Sequence, residues 1–387
     1  GSALQGMKRF FIYSLAPVLY NVGIIIGALW LTKIEAFGVF GLAWGVVLGA
    51  LLHFLVQLYG VLQAGYTYKF TFDIKDKDTR EIIRLAGPRM LGIGVNQINF
   101  VIYTVIASTL AVGSVTIFQF AYNIQFFAVG IIGISYAIAV FPSFSEAFEN
   151  KAMEKFKQSF SSAVRQVLFF MVPATILFLI VRAQIVRVVV GAGEFDWPAT
   201  IMTADTLAFF ALSFVAQSLI FVLARAFFAL HDTVTPLTAG VVSTLLGLIS
   251  ALWLSKDFGV IGLAMAFSIA AIVNLILLWV PLRQRIGSLD EERIVRSLFT
   301  ISTAGILAAL VMQMMKPVVV NFFSINTFFG VFFQGFIAGG LGLVVYVVVA
   351  RLLKSEELDV ILAGLRRRIL RKATPEEAIG TESPTGS

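Results

Sequence analysis

The chain alternates between long apolar runs and short polar segments. A helix needs about 20 mostly apolar residues to cross a bilayer, and charge-free runs of this length recur along the sequence. Residues 90–145 carry no charge and, at a rise of about 1.5 Å per residue, are too many for one crossing. We divide them at Gly113 and Ser114. The pattern then predicts ten spans, at residues 10–32, 36–62, 90–113, 114–145, 162–181, 203–224, 233–255, 258–282, 297–315 and 327–350.

Composition supports this interpretation. Apolar residues make up 59% of the 387 residues and charged residues only 13%, whereas a soluble domain carries roughly 25% charged residues. The mean hydropathy is +0.92. There is no cysteine, so disulfides and thiolate metal sites are excluded. We therefore expect an all-α fold, a polytopic transmembrane helical bundle.

Positive charges are concentrated in alternate segments between the predicted spans. Of the 29 Lys and Arg residues, 24 fall on the side of the N-terminus; the other five are Lys33, Arg182, Arg187, Lys256 and Lys316. Because cytoplasmic loops carry the excess of Lys and Arg, both termini are predicted to be cytoplasmic. The net charge of +7 is explained by this orientation, and no nucleic-acid partner is expected.

Residues 149–160 and the segment after the last span have the pattern of helices at the membrane surface. Residues 149–160 place Met153, Phe156 and Phe160 on one side, and we interpret this stretch as a solvated connector that touches lipid headgroups. After the last span, Ser355 can cap a helix that begins with Glu356 and Glu357. Its apolar positions are Leu358, Ile361, Leu362, Leu365 and Ile369, and its basic end holds Arg366, Arg367, Arg368, Arg371 and Lys372. This pattern predicts an interfacial helix held by anionic membrane lipid. The polar residues from Ala373 onward are expected to be disordered.

No catalytic arrangement is visible. The two histidines, His53 and His231, lie far apart along the chain. The acidic residues 290–292 and 356–357 read as helix caps and solvated faces. No phosphate-binding glycine loop or zinc spacing occurs. The sequence therefore predicts neither an enzyme nor a metal or cofactor site.

Uncharged amides stand out within the spans. The third predicted span carries Asn96, Gln97 and Asn99, the fourth carries Gln119, Asn123 and Gln125, and other spans contain Asn21, Gln57, Gln217 and Asn274. Such amides can form hydrogen bonds between helices, worth about 0.6 kcal/mol on average. They can also line a polar cavity between helix bundles, and the sequence leaves both readings open.

An ordered series of segments carries a family resemblance. The segments are FIYSLAPVLYNVGIIIGAL (residues 11–29), GLAWGVVLGALLHFLVQL (41–58), GPRMLGIGVNQINFVIYTVIASTLAVGSVTIFQFAYNIQ (87–125), GIIGISYAIAVFPSFS (130–145), GAGEFD (191–196) and ARAFFALHDTVTP (224–236). Together they resemble the lipid II flippase family (MurJ, also called MviN) of the MOP exporter superfamily. That family has fourteen helices, and this chain resembles helices five to fourteen, as expected of an N-terminally truncated member.

The resemblance implies a domain plan and a function. Residues 1–64 would be a remnant of the first lobe, 65–286 the second lobe of six spans, 287–353 a C-terminal pair, and 354–387 the amphipathic basic helix and tail. The implied function is transport of the undecaprenyl-pyrophosphate-linked peptidoglycan precursor, lipid II, from the inner to the outer leaflet by alternating access. The implied location is the bacterial inner membrane.

The resemblance also suggests where the substrate binds. Members often carry an Arg, and an acidic residue three positions later, in the helix that matches the fourth span; here those positions hold Asn123 and Phe126. We expect Asn123 and Gln125, with Gln97, Asn99 and Asn21, to line the cavity for the head group. Arg89 and Arg225 are candidates for interfacial anchors or headgroup contacts. Some members bind sodium through carboxylates, but no acidic residue lies at mid-span here, so a sodium site is not expected.

The sequence leaves three alternatives open. A related exporter of the same superfamily would move other lipid-linked oligosaccharides or drugs. A non-transporting membrane scaffold would use its basic tail to hold a cytoplasmic partner. A membrane-embedded transferase is disfavoured, because no paired carboxylates or reactive histidine are placed near a membrane face.

Overall fold

The computed structural model describes residues 9–65, 99–191, 195–323 and 327–373, together with Leu4, Met7, Arg80 and Gln97. For Phe10 and residues 365–373 it describes the backbone alone. Every regular element within these ranges is helical, which confirms the predicted all-α class. The chain forms two compact units, residues 1–87 and 88–387. The predicted disordered tail beyond residue 373 lies outside the described residues.

The described part of the first unit contains two α-helices, α1 (Phe10–Leu29) and α2 (Phe40–Gln63), with a short 3-10 helix, Leu31–Lys33, between them. Their backbones approach closely through glycines. A Cβ at Gly23 would lie 2.3 Å from the Cα of Gly49, and one at Gly27 would lie 2.4 Å from the Cα of Gly45. No larger side chain fits at these distances. The pair therefore shows the small-residue packing by which membrane helices associate.

The second unit contains the remaining helices. They are α3 (Asn99–Ser108), α4 (Ser114–Val129), α5 (Ser135–Glu149), α6 (Met153–Ile180), α7 (Arg182–Val190), α8 (Trp197–Ala211), α9 (Phe214–Ala229), α10 (Val234–Ile286), α11 (Glu291–Val320), α12 (Phe328–Leu352) and α13 (Glu356–Ala373). A π-helical turn, Gly130–Ile134, joins α4 to α5 without a break.

The described residues contain seven helices that are long and apolar enough to cross a membrane, and the bent pair α8–α9 brings the number to as many as eight. Helix α10 spans 53 residues, too many for one crossing. It is kinked at Gly259, where φ is 57° and ψ is −135°, so it forms two limbs close to the predicted boundary between residues 255 and 258. The polytopic bundle is confirmed. The structure describes only part of the predicted third span, as α3. The predicted number of ten spans therefore stays a prediction.

Two interruptions shape the middle of the second unit. At Gly133, in the π turn, a Cβ would lie 2.8 Å from the Cα of Ser218, so only glycine allows α9 to pack this closely. Helices α8 and α9 meet at an angle of 44°. At this bend, Ser213 Oγ donates to the carbonyl of Phe210 at 2.8 Å, and Ser268 Oγ donates to that of Phe209 at 2.6 Å. Serine hydroxyls thereby satisfy carbonyls at the broken helix, as membrane helices require.

The prediction that the apolar face of residues 149–160 contacts lipid headgroups is wrong. Helix α6 begins at Met153 and runs on into the bundle. Phe156 and Phe160 are fully buried. The ring of Phe156 lies 5.1 Å from that of Phe144 on α5, and the ring of Phe160 lies 5.7 Å from that of Trp279 on α10. The apolar face was assigned to lipid, whereas neighbouring helices cover it.

Candidate functional site

A chamber of about 420 Å³, lined by both polar and apolar side chains, lies in the second unit, between α3, α4, α9 and both limbs of α10. Its volume lies within the range of roughly 300–1,000 Å³ that small-molecule sites occupy. The lining combines the polar side chains of Asn99, Tyr103, Gln217, Ser243, Thr244 and Asn274 with the rings of Phe100, Phe118, Tyr122, Phe126, Phe221 and Phe267. None of these lining residues is charged.

Helix periodicity brings the polar groups of the chamber together. Asn99 and Tyr103 lie one turn apart on α3, so their side chains share one face. The second limb of α10 contributes Asn274. Gly247, on the first limb, leaves room for the phenol, because a Cβ there would lie 3.0 Å from Tyr103 Oη. The absence of a side chain at Gly247 thus helps to place the Tyr103 hydroxyl.

Three polar atoms of the chamber have no hydrogen-bond partner among the described residues. They are Asn99 Oδ1, Tyr103 Oη and Asn274 Oδ1. All three are buried, and Tyr103 as a whole is only 2% exposed. An unsatisfied buried polar group costs about 1–3 kcal/mol. The chamber therefore suits an occupant that offers hydrogen bonds to several of these atoms.

A chain of hydrogen bonds connects the chamber to the bend between α8 and α9. Gln217 Nε2 donates to Gln125 Oε1 at 2.8 Å and to Ser213 Oγ at 2.9 Å. Ser268 Oγ on α10, which donates to the Phe209 carbonyl, lies 3.1 Å from Ser213 Oγ. The wall of the chamber is thus hydrogen-bonded to the carbonyls of the broken helix and to α4 and α10.

The predicted pair Asn123 and Gln125 does not share a face of α4. Asn123 is exposed, whereas Gln125 is 1% exposed. Residues two apart on a helix point to different sides, which is why the two amides cannot line one cavity together. Gln125 forms the hydrogen bond between helices that was the alternative interpretation of these amides, and Asn123 is not part of the chamber lining.

The other predicted site residues are spread over the molecule. Asn99 lines the chamber, whereas Gln97 is exposed. Asn21 is exposed on α1 in the first unit. Arg89 lies outside the described residues. Their contact with a substrate stays a prediction.

Arg225, the other candidate for headgroup contact, is held by aromatic rings. Its guanidinium carbon lies 5.5 Å from the ring centre of Phe141 and 5.9 Å from that of Phe228. These distances are typical of cation–π contacts. The rings orient the side chain near the end of α9, and its role as anchor or headgroup contact stays a prediction.

A buried ion-pair cluster at the start of α13 corrects the prediction for residues 356–357. Glu357 is 4% exposed and lies 2.7 Å from the guanidinium of Arg165 on α6. The hydroxyls of Ser297 on α11 and of Ser355 donate to its carboxylate at 2.9 Å and 2.7 Å. Glu357 is therefore part of the packed interior and not of a solvated face. Arg165 and Ser297 are distant from Glu357 in sequence, so the pattern of charges alone could not reveal this contact.

Glu356 extends this cluster toward solvent. Its carboxylate accepts hydrogen bonds from Arg293 at 2.6 and 3.0 Å and from Arg165 at 3.0 Å. The hydrogen bond from the Arg293 guanidinium is the main reason that the pKa of Glu356 lies below its usual value. The cluster joins α6, α11 and α13 at one end of the unit.

Sequence reasoning missed Tyr103, Ser243 and Thr244 as chamber residues. It noted Gln217 and Asn274 only as isolated amides within spans. The spacing of four between Asn99 and Tyr103 is a signal that could have identified the shared face. The two limbs of α10 meet α3 only through tertiary packing, so Ser243 and Thr244 carried no comparable signal.

The fold and the chamber together define a class of protein. Hydrophobic helices long enough to span a bilayer, with large side chains such as Phe11, Trp253 and Phe336 at least 66% exposed on their outer surface, need a hydrocarbon environment. The chain is a polytopic α-helical membrane protein whose second unit contains an uncharged polar chamber. It crosses the membrane several times.

Comparison with known proteins identifies the family. The family model described as "Lipid II flippase MurJ" matches residues 1–333. The chain belongs to the lipid II flippase MurJ family.

Relatives and a solved structure agree with this assignment. The chain is 28% identical over 279 residues to a protein of Vibrio cholerae, with 72% of this chain and 53% of the relative covered. It is 26% identical over 346 residues to one of Buchnera aphidicola, with 87% and 67% covered. Both carry the description "Probable lipid II flippase MurJ". The chain thus spans about half to two thirds of the length of these relatives.

Among solved structures, the fold resembles "Lipid II flippase MurJ, inward closed conformation". The TM-score is 0.73 at 23% identity, and the match covers 91% of this chain and 69% of that one. At this level of identity the likeness concerns the fold alone. It supports the polytopic helical architecture independently of the sequence match.

Proposed function

We propose that this chain carries out lipid II translocation, moving the undecaprenyl-pyrophosphate-linked peptidoglycan precursor from the inner to the outer leaflet. The observation that carries the proposal is the match of residues 1–333 to the lipid II flippase MurJ family. A charged sugar-pyrophosphate head cannot cross hydrocarbon unaided, because a buried ion loses its hydration. A polytopic bundle can shelter the head while the tail stays in lipid.

The proposed mechanism is alternating access between two lobes. We assign residues 1–64 to part of a first lobe, 65–286 to a second lobe and 287–353 to a C-terminal helix pair. Asn123 is the leading candidate for contact with the head group, since it presents an uncharged amide on the exposed face of α4. Asn21 and Gln97 are exposed amides of the same kind, and Arg225 is the candidate cation.

The proposal includes an orientation and a lipid partner. We place both termini in the cytoplasm and the chain in the bacterial inner membrane, on the basis of the Lys and Arg distribution. Helix α13 would then lie at the cytoplasmic surface. Its basic positions, residues 366–368, 371 and 372, suit an anionic lipid surface, since each Lys or Arg near such a surface contributes about 1 kcal/mol.

Transport is tested by rescue and by direct measurement. Cells depleted of their own lipid II flippase are supplied with this chain, and the purified chain is reconstituted in vesicles that contain labelled lipid II. We expect rescue of growth and faster loss of label from the inner leaflet than in protein-free vesicles. Asn123→Leu should slow transport, whereas Asn321→Leu, which changes an exposed amide at the C-terminal end of α11, should not. Vesicles in which lipid II stays in its leaflet would overturn the proposal.

The scaffold alternative needs a carefully placed truncation. Removing residues 355–387 would take away Glu357 and leave Arg165 without its buried partner, so loss of function would have two explanations. Ending the chain after Gly364 removes the basic residues 366–372 with the tail and keeps Glu356 and Glu357 of the cluster. A transporter should tolerate this truncation, whereas a scaffold that holds a partner through its tail should lose its function.

A further inference from the structure

The chamber of the second unit has the chemistry of a ligand site. Its unpartnered groups are the amide oxygens of Asn99 and Asn274 and the hydroxyl of Tyr103. Tyr103 is 98% buried, as its exposure of 2% shows, and its hydroxyl lies where Gly247 leaves room for it. A dry, empty chamber would leave all three groups unsatisfied, at about 1–3 kcal/mol each.

The charge of the chamber restricts what it can bind. None of its lining residues carries a charge. An uncompensated phosphate would lose its hydration without gaining a counter-charge, which is strongly unfavourable. The pyrophosphate of a lipid-linked substrate is therefore not the ligand of this chamber. A neutral group that donates and accepts hydrogen bonds is the matching chemistry.

We propose that the chamber binds one neutral, acetamido-bearing sugar ring of the substrate, an inference that rests on the proposed function. Asparagine side chains complement an acetamido group, because each amide offers both a carbonyl acceptor and N–H donors. The Tyr103 hydroxyl can donate or accept for a ring hydroxyl. The aromatic rings supply faces on which the apolar C–H side of a sugar can pack.

The size of the chamber agrees with this assignment. At about 420 Å³ it lies near the lower end of the range for small-molecule sites. This size suits a single sugar ring better than a whole head group. The chamber would therefore bind one part of the head group, while the pyrophosphate stays outside the chamber.

The experiment compares two lipids that differ in the saccharide. Binding of lipid II and of undecaprenyl pyrophosphate, which shares the tail and the pyrophosphate, is measured on the full chain in detergent by native mass spectrometry. The wild-type chain should bind lipid II more tightly. Tyr103→Phe and Asn274→Leu should each weaken lipid II binding about two- to tenfold, the loss of one hydrogen bond, and leave undecaprenyl pyrophosphate binding unchanged.

A matched control separates the chamber from a general effect. Tyr136→Phe removes a hydroxyl from a half-buried tyrosine of α5 that does not line the chamber, and it should leave both affinities unchanged. Tyr103→Phe keeps the ring that stacks 5.8 Å from Phe118, so the fold should persist; circular dichroism and the melting temperature check this.

Several results would overturn the inference. Equal affinities of the wild-type chain for lipid II and undecaprenyl pyrophosphate would show that the saccharide does not contribute to binding. Variants that leave the preference unchanged would mean that water or a small cation fills the chamber. An equal loss for both lipids would assign the chamber a structural role. Failure of the wild-type chain to bind either lipid would instead count against the proposed function.

Discussion

The buried pair Arg165–Glu357 should be among the most important electrostatic contacts for the stability of the second unit. Replacing Arg165 by Met removes the cation and keeps an unbranched apolar stem. Glu357, 4% exposed, would then keep only the hydroxyls of Ser297 and Ser355. Breaking a buried ion pair from one side costs about 3–5 kcal/mol, because the remaining charge is uncompensated. We expect Arg165→Met to destabilise the protein by this amount.

Replacing the other partner should cost less. Glu357→Gln keeps an amide oxygen that can still accept a hydrogen bond. Arg165 would also retain Glu356 at 3.0 Å. We therefore expect a loss of about 1–3 kcal/mol, comparable to one compromised buried hydrogen bond. The double variant Arg165→Met/Glu357→Gln should cost less than the sum of the two, since no unpaired charge remains.

The assay is unfolding of the purified chain in mixed micelles with increasing dodecyl sulfate, followed by helicity and by fluorescence of its five tryptophans. The matched control is the surface pair Arg351–Asp359, whose side chains are 63% and 59% exposed. Arg351→Met should change the free energy of unfolding by at most about 1 kcal/mol, as for most exposed ion pairs.

The reasoning would be refuted by equal effects of Arg165→Met and Arg351→Met. It would also be refuted if the two substitutions at Arg165 and Glu357 proved simply additive, because a double-mutant cycle without coupling means that the two side chains do not interact. A more stable Arg165→Met variant would show that desolvation of the pair outweighs its attraction.

Two further predictions concern backbone packing and pH. Gly133→Ala should destabilise the protein by about 1–3 kcal/mol, because a Cβ would lie 2.8 Å from Ser218 Cα. The control Gly130→Ala should be neutral or stabilising, because its Cβ would meet only a ring atom at 3.9 Å. Equal melting temperatures of the two variants would contradict the close contact at Gly133. Backbone N–H groups, that of Thr235 first, together with Arg285, lower the pKa of Asp232 below its usual value, so its stabilisation is present at neutral pH and is lost as the pH falls through the lowered pKa. Asp232→Asn keeps an oxygen that can accept from the same N–H groups and removes only the charge, so it should cost about 0.3–1 kcal/mol at pH 7. The difference from wild type should vanish in acid; a difference that persists at low pH would show that the charge is not responsible.

The helices were predictable where the signal lies in a single stretch of chain. The division at Gly113 and Ser114 coincides with a left-handed glycine, φ 91°, directly before α4. The boundary between the seventh and eighth predicted spans lies close to the kink at Gly259. Both positions follow from the need to interrupt an apolar stretch that is longer than the bilayer is thick. Local length and charge are sufficient for such inferences.

The candidate site was predictable only in part. Asn99, singled out as a polar residue of a span, lines the chamber, and its contact with a substrate stays a prediction. Asn123 and Gln125 were grouped by closeness in sequence, although residues two apart on a helix face different ways. Phe156 and Phe160 were assigned to lipid because their apolar face has the same appearance whether lipid or protein covers it. Sequence periodicity shows that one face of a helix is apolar, but it does not show whether lipid or another helix covers that face.

The sequence by itself determined the class of the protein, the positions of most membrane helices and the family, because length, hydropathy and short motifs are properties of contiguous chain. The tertiary structure alone decided which polar groups meet. Arg165 and Glu357 are separated by 192 positions, and the chamber joins residues of α3 and α10. The physical reason is that a buried polar side chain must find its partner, and only the packing of helices distant in sequence places that partner within reach.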